Sequence, residues 1–212
     1  MTRGRFIAFE GGEGMGKSTQ ARLLAERLRE QGREVVLTRE PGGTPGAEAI
    51  RELLLAPPGE GWTLEAEALL FAAARADHVA RKIAPALERG AWVICDRFLD
   101  SSRAYQGVAG GLGDDTVRSL HAIGSAGLLP DLTIVIDAPA GAVAARLAER
   151  DGATSDAIGG RAAEYHAAVN AAFLDFARAE PTRFAIVDGA GTVDEVHNRV
   201  VAAAARLGSE PA

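Results

Sequence analysis

Gly11-Gly12-Glu13-Gly14-Met15-Gly16-Lys17-Ser18-Thr19 follows the pattern GxxxxGK[ST], and it stands where the apolar run Phe6-Ile7-Ala8-Phe9 gives way to a helical pattern. Glycines here let backbone N–H groups turn inward around a polyphosphate, and the N-terminus of the following helix adds positive potential. In such a loop Lys17 reaches the β- and γ-phosphates of a nucleotide, and the Ser18 hydroxyl binds Mg²⁺. A chain with 25 glycines could match the pattern by accident. The lysine argues against accident, because Lys17 and Lys82 are the only lysines present.

Outward from this loop, short β-branched or aromatic runs recur at 6–9, 35–38, 92–95, 132–136 and 184–187. Long Ala/Leu/Arg/Glu segments with helical spacing separate them. Strands alternating with helices predict an α/β fold: a five-stranded parallel sheet between two helical layers, the three-layer αβα sandwich of a P-loop NTPase. Ser18 to Arg29 carries Ala21, Leu24, Ala25 and Leu28 on one stripe and is followed by Gly32 as a stop signal. A second helical stretch is expected from about Leu64 to Glu88, with an alanine-rich side suited to close packing, within the molecule or against a second subunit. Residues 151–160 are small, polar and glycine-rich between two helical segments, and they predict a mobile flap, or LID, spanning about 150–161. One domain is expected over 1–212.

The composition, 47% hydrophobic and 25% charged, is ordinary for a globular protein. A net charge of −6 gives no general attraction to nucleic acid or an anionic membrane, so a polyanionic ligand must be gripped locally. Cys95 is the single cysteine and lies in the run Trp92-Val93-Ile94-Cys95, which predicts a buried structural thiol. No signal-peptide pattern precedes the first strand and no stretch approaches 18 apolar residues, so a cytoplasmic protein is expected.

Ligands of such sheets bind at the carboxyl ends of the strands, and each of those loops is polar here. Asp96 ends an apolar strand, where a carboxylate can approach a Mg²⁺ ion held by Ser18. An Asp at a strand end is equally often a helix cap. Arg97 beside it suits a phosphoryl clamp, since a guanidinium binds two oxygens at once and stays charged.

The segments Thr38-Arg39-Glu40-Pro41-Gly42-Gly43-Thr44, Leu70-Phe71-Ala72-Ala73-Ala74-Arg75 and Asp96-Arg97 through Ser101-Ser102-Arg103-Ala104-Tyr105-Gln106-Gly107 resemble those of the bacterial thymidylate kinase family, as do Pro130-Asp131-Leu132-Thr133 and Ile134-Val135-Ile136-Asp137. The resemblance runs from Arg5 to about Ala204. It implies transfer of the γ-phosphoryl of ATP to dTMP, with Mg²⁺ as cofactor and a homodimer as the working form. It places ATP on Gly11 to Thr19 and the monophosphate substrate on Glu13, Arg39, Pro41, Arg51, Arg97 and Ser101. Phe71 is implied to stack on the thymine ring, Arg75 to meet its carbonyl edge, and Ser102, Tyr105 and Gln106 to complete the base and sugar site. Lys17, Asp96 and Arg97 are the implied catalytic groups, with Ser18 and Asp96 at the metal.

The family's pattern also contains an arginine that this sequence lacks. One branch carries it in the phosphate loop, at the position of Gly14; the other carries arginines in the flap, where this chain reads Asp156-Ala157-Ile158-Gly159. Arg150, Arg161 and Arg146 are the substitutes at hand, and Arg150 is expected to supply the charge. Two alternatives remain open on sequence. One is a P-loop kinase for dUMP, AMP or a nucleoside; the other is a P-loop switch that controls a partner by hydrolysing nucleotide. Ala190-Gly191-Thr192-Val193 either borders the adenine or forms a plain turn.

Overall fold

The structure, a computed structural model, describes residues 3–139 and 160–207. Five parallel strands form one sheet: β1 (Phe6–Glu10), β2 (Val35–Arg39), β3 (Trp92–Asp96), β4 (Leu132–Asp137) and β5 (Phe184–Asp188), in the order β2-β3-β1-β4-β5. Each lies within a residue or two of the run expected from sequence. The central strands β1, β3 and β4 are buried on both faces, an environment that β-branched residues favour, whereas the edge strands β2 and β5 are partly exposed.

Alternation along β1 divides the core. Ile7 and Phe9 face one helical layer, with Leu24 and Leu28 of α1 (Lys17–Glu30) and, from the C-terminal end of the chain, Val196 and Val200. Phe6 and Ala8 face the other, with Ile83, Leu87, Phe98 and Val117. The other α-helices among the described residues are α2 (Pro45–Leu55), α3 (Leu64–His78), α4 (Ala84–Glu88), α5 (Leu99–Ser102), α6 (Asp114–Ser125), α7 (Ala163–Ala179) and α8 (Val193–Ala204). The expected helix from 64 to 88 is present but not uniform. A π-helical turn, Val79–Ile83, separates α3 from α4. Pro85 has no N–H to give to the carbonyl four residues back, and a widened turn just before it accommodates that loss.

Two features position the site. β1 lies between β3 and β4; the connection from β1 runs to β2 on one side of the sheet and that from β4 runs to β5 on the other, which opens a crevice at the carboxyl end of β1. The register sets Phe9 and Arg39 both level with Asp96, so the ends of β1, β2 and β3 deliver their loops to one place. No helix of the described residues is long and apolar enough to cross a membrane.

Candidate active site

The chain leaves β1 at Glu10 and makes the phosphate loop by adopting positive φ at three glycines: Gly11 (130°), Gly14 (68°) and Gly16 (89°). Gly11 has a second reason to be glycine, because a Cβ there would stand 2.5 Å from the carbonyl oxygen of Ile136 on β4. The loop therefore lies directly on the sheet end, and α1 begins at Lys17.

Lys17 is buried, with its Nζ donating to the carbonyl of Gly12 at 2.5 Å. Burial, reinforced by the charge of Arg97, pushes the ammonium down to about 7. The Ser18 hydroxyl donates to Oδ2 of Asp96. The other oxygen, Asp96 Oδ1, is buried and has no hydrogen-bond partner among the described residues. Asp96 is not a helix cap: α5 starts three residues later, with Phe98 at the capping position.

Arg97 follows at φ 67°, a left-handed conformation that costs a non-glycine residue energy and is held here by the surrounding bonds. Its N–H donates to Phe9 at 2.9 Å, and its carbonyl accepts from the buried thiol of Cys95 at 3.0 Å. The guanidinium donates to Ser101 Oγ at 3.1 Å and lies 5.2 Å from the centre of the Tyr105 ring. Burial works against its charge, but Tyr105, Asp96, Glu10 and Glu13 outweigh that and hold its pKa above the usual arginine value.

Glu10, which the sequence reading passed over, lies at the base of the site. It is fully buried and accepts from the N–H of Phe98 (2.8 Å), the N–H of Ser101 (3.0 Å) and the Ser101 hydroxyl (2.6 Å). Ser101 thus bridges Glu10 to Arg97. Desolvation, with the nearby charge of Asp100, pushes the Glu10 carboxyl up to about 7. A carboxylate closing an apolar strand was the available signal, the same one that singled out Asp96.

Phe71 and Arg75 of α3 are one turn apart and line the same cavity as the phosphate loop. Arg75 is buried; its Nε donates to Glu40 Oε2 at 2.8 Å, and its Nη2 donates to Ser102 Oγ at 2.8 Å and to the Phe98 carbonyl at 3.3 Å. Glu40, after β2, also meets His78 Nδ1 at 3.0 Å, whose Nε2 meets Thr38 Oγ1 at 2.8 Å. This buried network, which the sequence reading did not include, fixes the Arg75 guanidinium. The Glu40-Pro41 peptide bond is cis. Arg51 donates to the Pro41 carbonyl at 2.8 Å, and Arg39 pairs with Glu48 at 3.0 Å at the more exposed rim.

One cavity of about 630 Å³ joins these pieces, a size typical of ligand sites. Glu13, Gly14, Gly16, Lys17, Ser18 and Thr19 line its phosphate end, with Asp96 and Arg97 beside them. Arg39, Pro41, Arg51 and Ser101 line the middle, and Phe71, Arg75, Ser102, Tyr105 and Gln106 the far end. Gly11, Gly12 and Met15 shape the loop from behind rather than lining the cavity; Met15 belongs to the core against α1. Arg150, Arg146 and the expected flap at 151–159 lie outside the described residues. Arg161 is described, and it is engaged: it pairs with Glu67 of α3 and donates to the Tyr165 hydroxyl, with its guanidinium 4.7 Å from the Tyr165 ring centre. Within the 190–193 segment, Thr192 caps α8 through a reciprocal capping box with Glu195.

Comparison with known proteins agrees with this geometry. Residues 9–200 match the family described as thymidylate kinase. A thymidylate kinase of Rhizorhabdus wittichii is 56% identical over 204 residues, covering 96% of this chain and 98% of that one. One from Symbiobacterium thermophilum is 51% identical, covering 92% and 90%. The crystal structure of thymidylate kinase from Ehrlichia chaffeensis superposes with a TM-score of 0.77 at 33% identity, covering 94% of this chain and 98% of that one. With the phosphate loop, the strand-end loops and the whole sheet all in agreement, the chain belongs to the thymidylate kinase family.

Proposed function

We propose that this chain transfers the γ-phosphoryl group of ATP to the 5′-phosphate of dTMP, giving dTDP and ADP. The observation that carries this reading is the single cavity, with a phosphate loop at one end and Phe71, Arg75 and Gln106 at the other. Two substrates laid end to end in it meet at Arg97. The buried Lys17 and the loop N–H groups hold the β- and γ-phosphates of ATP, whose charge favours the protonated ammonium. Arg97 holds the acceptor phosphate in line with the γ-phosphorus, pre-set by Ser101 and Glu10. Glu13 lies near the sugar 3′-hydroxyl and acceptor phosphate, with Arg39, Pro41 and Arg51 at the phosphate rim. Phe71 stacks on the thymine, Arg75 and Ser102 meet its carbonyl edge, and Tyr105 excludes a ribose 2′-hydroxyl. No general base is required, because a phosphate monoester with a second pKa of about 6 is already largely ionised.

The residues present fit Mg²⁺. Asp96 carries a buried oxygen without a partner beside the Ser18 hydroxyl, and the described residues hold no cluster of three carboxylate, His or Cys ligands. That donor set suits a cation that keeps water and phosphate oxygens in its shell. When bound with ATP, the ion neutralises charge on the phosphates. The reading includes a cytoplasmic setting, and a homodimer formed through α2, α3 and α6, which pack in series and expose Leu53, Leu69 and Ile123. Arg150 supplies the further positive charge at the transferring group, since Arg161 is occupied by Glu67 and Tyr165.

A coupled assay of ADP release over dTMP, dUMP, dCMP and AMP tests the reaction. Turnover is expected to depend on the acceptor and to be fastest with dTMP. ATP hydrolysis indifferent to added dTMP, or preference for a purine, would overturn it. In the same assay Arg150→Ala is expected to lower kcat on the order of 10³-fold, as loss of an arginine at a transferring phosphoryl group does. An unchanged kcat removes Arg150 from the mechanism.

A further inference from the structure

Glu67, Phe71 and Arg75 recur at four-residue spacing on α3 and so share one face of the helix. Phe71 and Arg75 line the cavity, whereas Glu67 stands behind it with its side chain 13% exposed. Its two oxygens have separate partners. Oε1 accepts from Nε2 of Gln106 at 2.7 Å, and Oε2 pairs with Arg161, the first arginine after the 140–159 segment. A carboxylate has no hydrogen to give, so the Gln106 amide must turn its NH₂ toward Glu67 and its carbonyl oxygen away. Among the described residues nothing donates to that oxygen, although Gln106 is only 1% exposed and lines the cavity.

We propose that Glu67 is a positioning residue for specificity: by fixing the polarity of the Gln106 amide, it makes the acceptor site select pyrimidines that carry a hydrogen on N3. This rests on the reading of the far end of the cavity as the base pocket. There Arg75, whose Nε and Nη2 are committed to Glu40, Ser102 and the Phe98 carbonyl, leaves Nη1 as a donor for the base. The pocket then presents a donor from Arg75 and an acceptor from Gln106. Thymine and uracil match that pair with the O4 acceptor and the N3 hydrogen. Cytosine reverses both, with an amino group at C4 and a bare lone pair at N3, and leaves two donors facing each other and two acceptors facing each other. A site built to satisfy hydrogen bonds rejects such an analogue strongly, because buried polar groups are left unpaired. An amide free to rotate by 180° would lose half of this discrimination. Glu67 prevents the rotation.

The experiment compares kcat/KM for dTMP and dCMP in the wild type, in Glu67→Gln and in Arg161→Ala. Glu67→Gln keeps the size of the side chain but allows an amide pair in either polarity. Its dTMP:dCMP ratio is expected to fall on the order of tenfold or more, through a higher KM for dTMP and a lower one for dCMP, with kcat for dTMP and Tm nearly unchanged. Arg161→Ala leaves the Glu67–Gln106 bond in place and is expected to keep the wild-type ratio. A ratio unchanged in Glu67→Gln overturns the proposal, as does an equal fall in Arg161→Ala. A wild type that does not prefer dTMP to dCMP fails the base-pocket reading itself and is distinguishable from either result.

Discussion

Glu10 shows how a single residue at a strand end can serve both stability and geometry. As part of β1 it is fully buried, and burial favours the neutral acid, so its pKa rises from 4.5 to about 7. As part of the site it accepts three hydrogen bonds from the loop that carries Arg97 and Ser101. Because the folded state holds the proton more tightly than the unfolded chain, the stability linked to Glu10 is fully present below pH 4.5 and is lost as pH rises through about 7. The full difference is on the order of 3 kcal/mol. Glu10→Gln cannot titrate. Its stability relative to wild type is therefore expected to improve by up to about that amount between pH 5 and pH 8, measured by urea unfolding without ligand. A difference independent of pH would show that Glu10 does not titrate in this range. Such a residue was hard to read in the chain because Phe9-Glu10 looks like any strand meeting a loop. Only the packing of Phe98 and Ser101 over it reveals that the carboxyl never reaches water.

At the scale of elements, the segment formed by α5 and the π-helical turn Arg103–Ala109 carries Ser101, Ser102, Tyr105 and Gln106, and it is pinned to the sheet from beneath. Asp100 is fully buried and accepts from Arg183 at 2.7 and 3.0 Å, from Arg103 at 2.8 Å and from Thr133 of β4 at 3.1 Å. These partners outweigh desolvation and hold its pKa below the usual aspartate range. Asp100→Ala leaves buried guanidinium groups short of a partner, and the expected cost is about 3 kcal/mol. Since the anchored segment carries Ser101, Ser102, Tyr105 and Gln106, the proposed acceptor contacts, KM for dTMP is expected to rise several-fold in the same variant; urea midpoints and steady-state kinetics read the two effects. A destabilised variant with an unchanged KM would show that the wall is held elsewhere. The sequence marked this segment by its resemblance to a family pattern, but gave no sign of Arg183, 83 residues from Asp100, as its anchor. A contact of that span is made by the fold, not by local spacing.

For the whole molecule, the outer face of α3 exposes Leu69 and Ala73, the π-helical turn after it exposes Ala80, and neighbouring α6 exposes Ile123 at 85%. Small residues of this kind permit close approach of a second helix, and large exposed aliphatics favour burial. Sedimentation is expected to give about twice the 22.0 kDa of one chain, and Ile123→Asp to shift the protein toward the monomer. A wild type that sediments as a monomer at micromolar concentration would remove the dimer from the reading. The five strands, the αβα layering and the phosphate loop were legible in the sequence, because apolar runs, helical periodicity and GxxxxGK[ST] are local patterns set by backbone geometry. TREPGGT and SSRAYQG, through their resemblance to a family pattern, also marked residues that line the cavity. What the sequence could not determine was which charges meet inside the fold. Ionisable side chains carry no periodic signal, and their partners are chosen by the order β2-β3-β1-β4-β5 and its register. Tertiary structure alone therefore decided that Glu10 steadies Ser101 and Arg97, that Glu40 fixes Arg75, and that Glu67 orients Gln106.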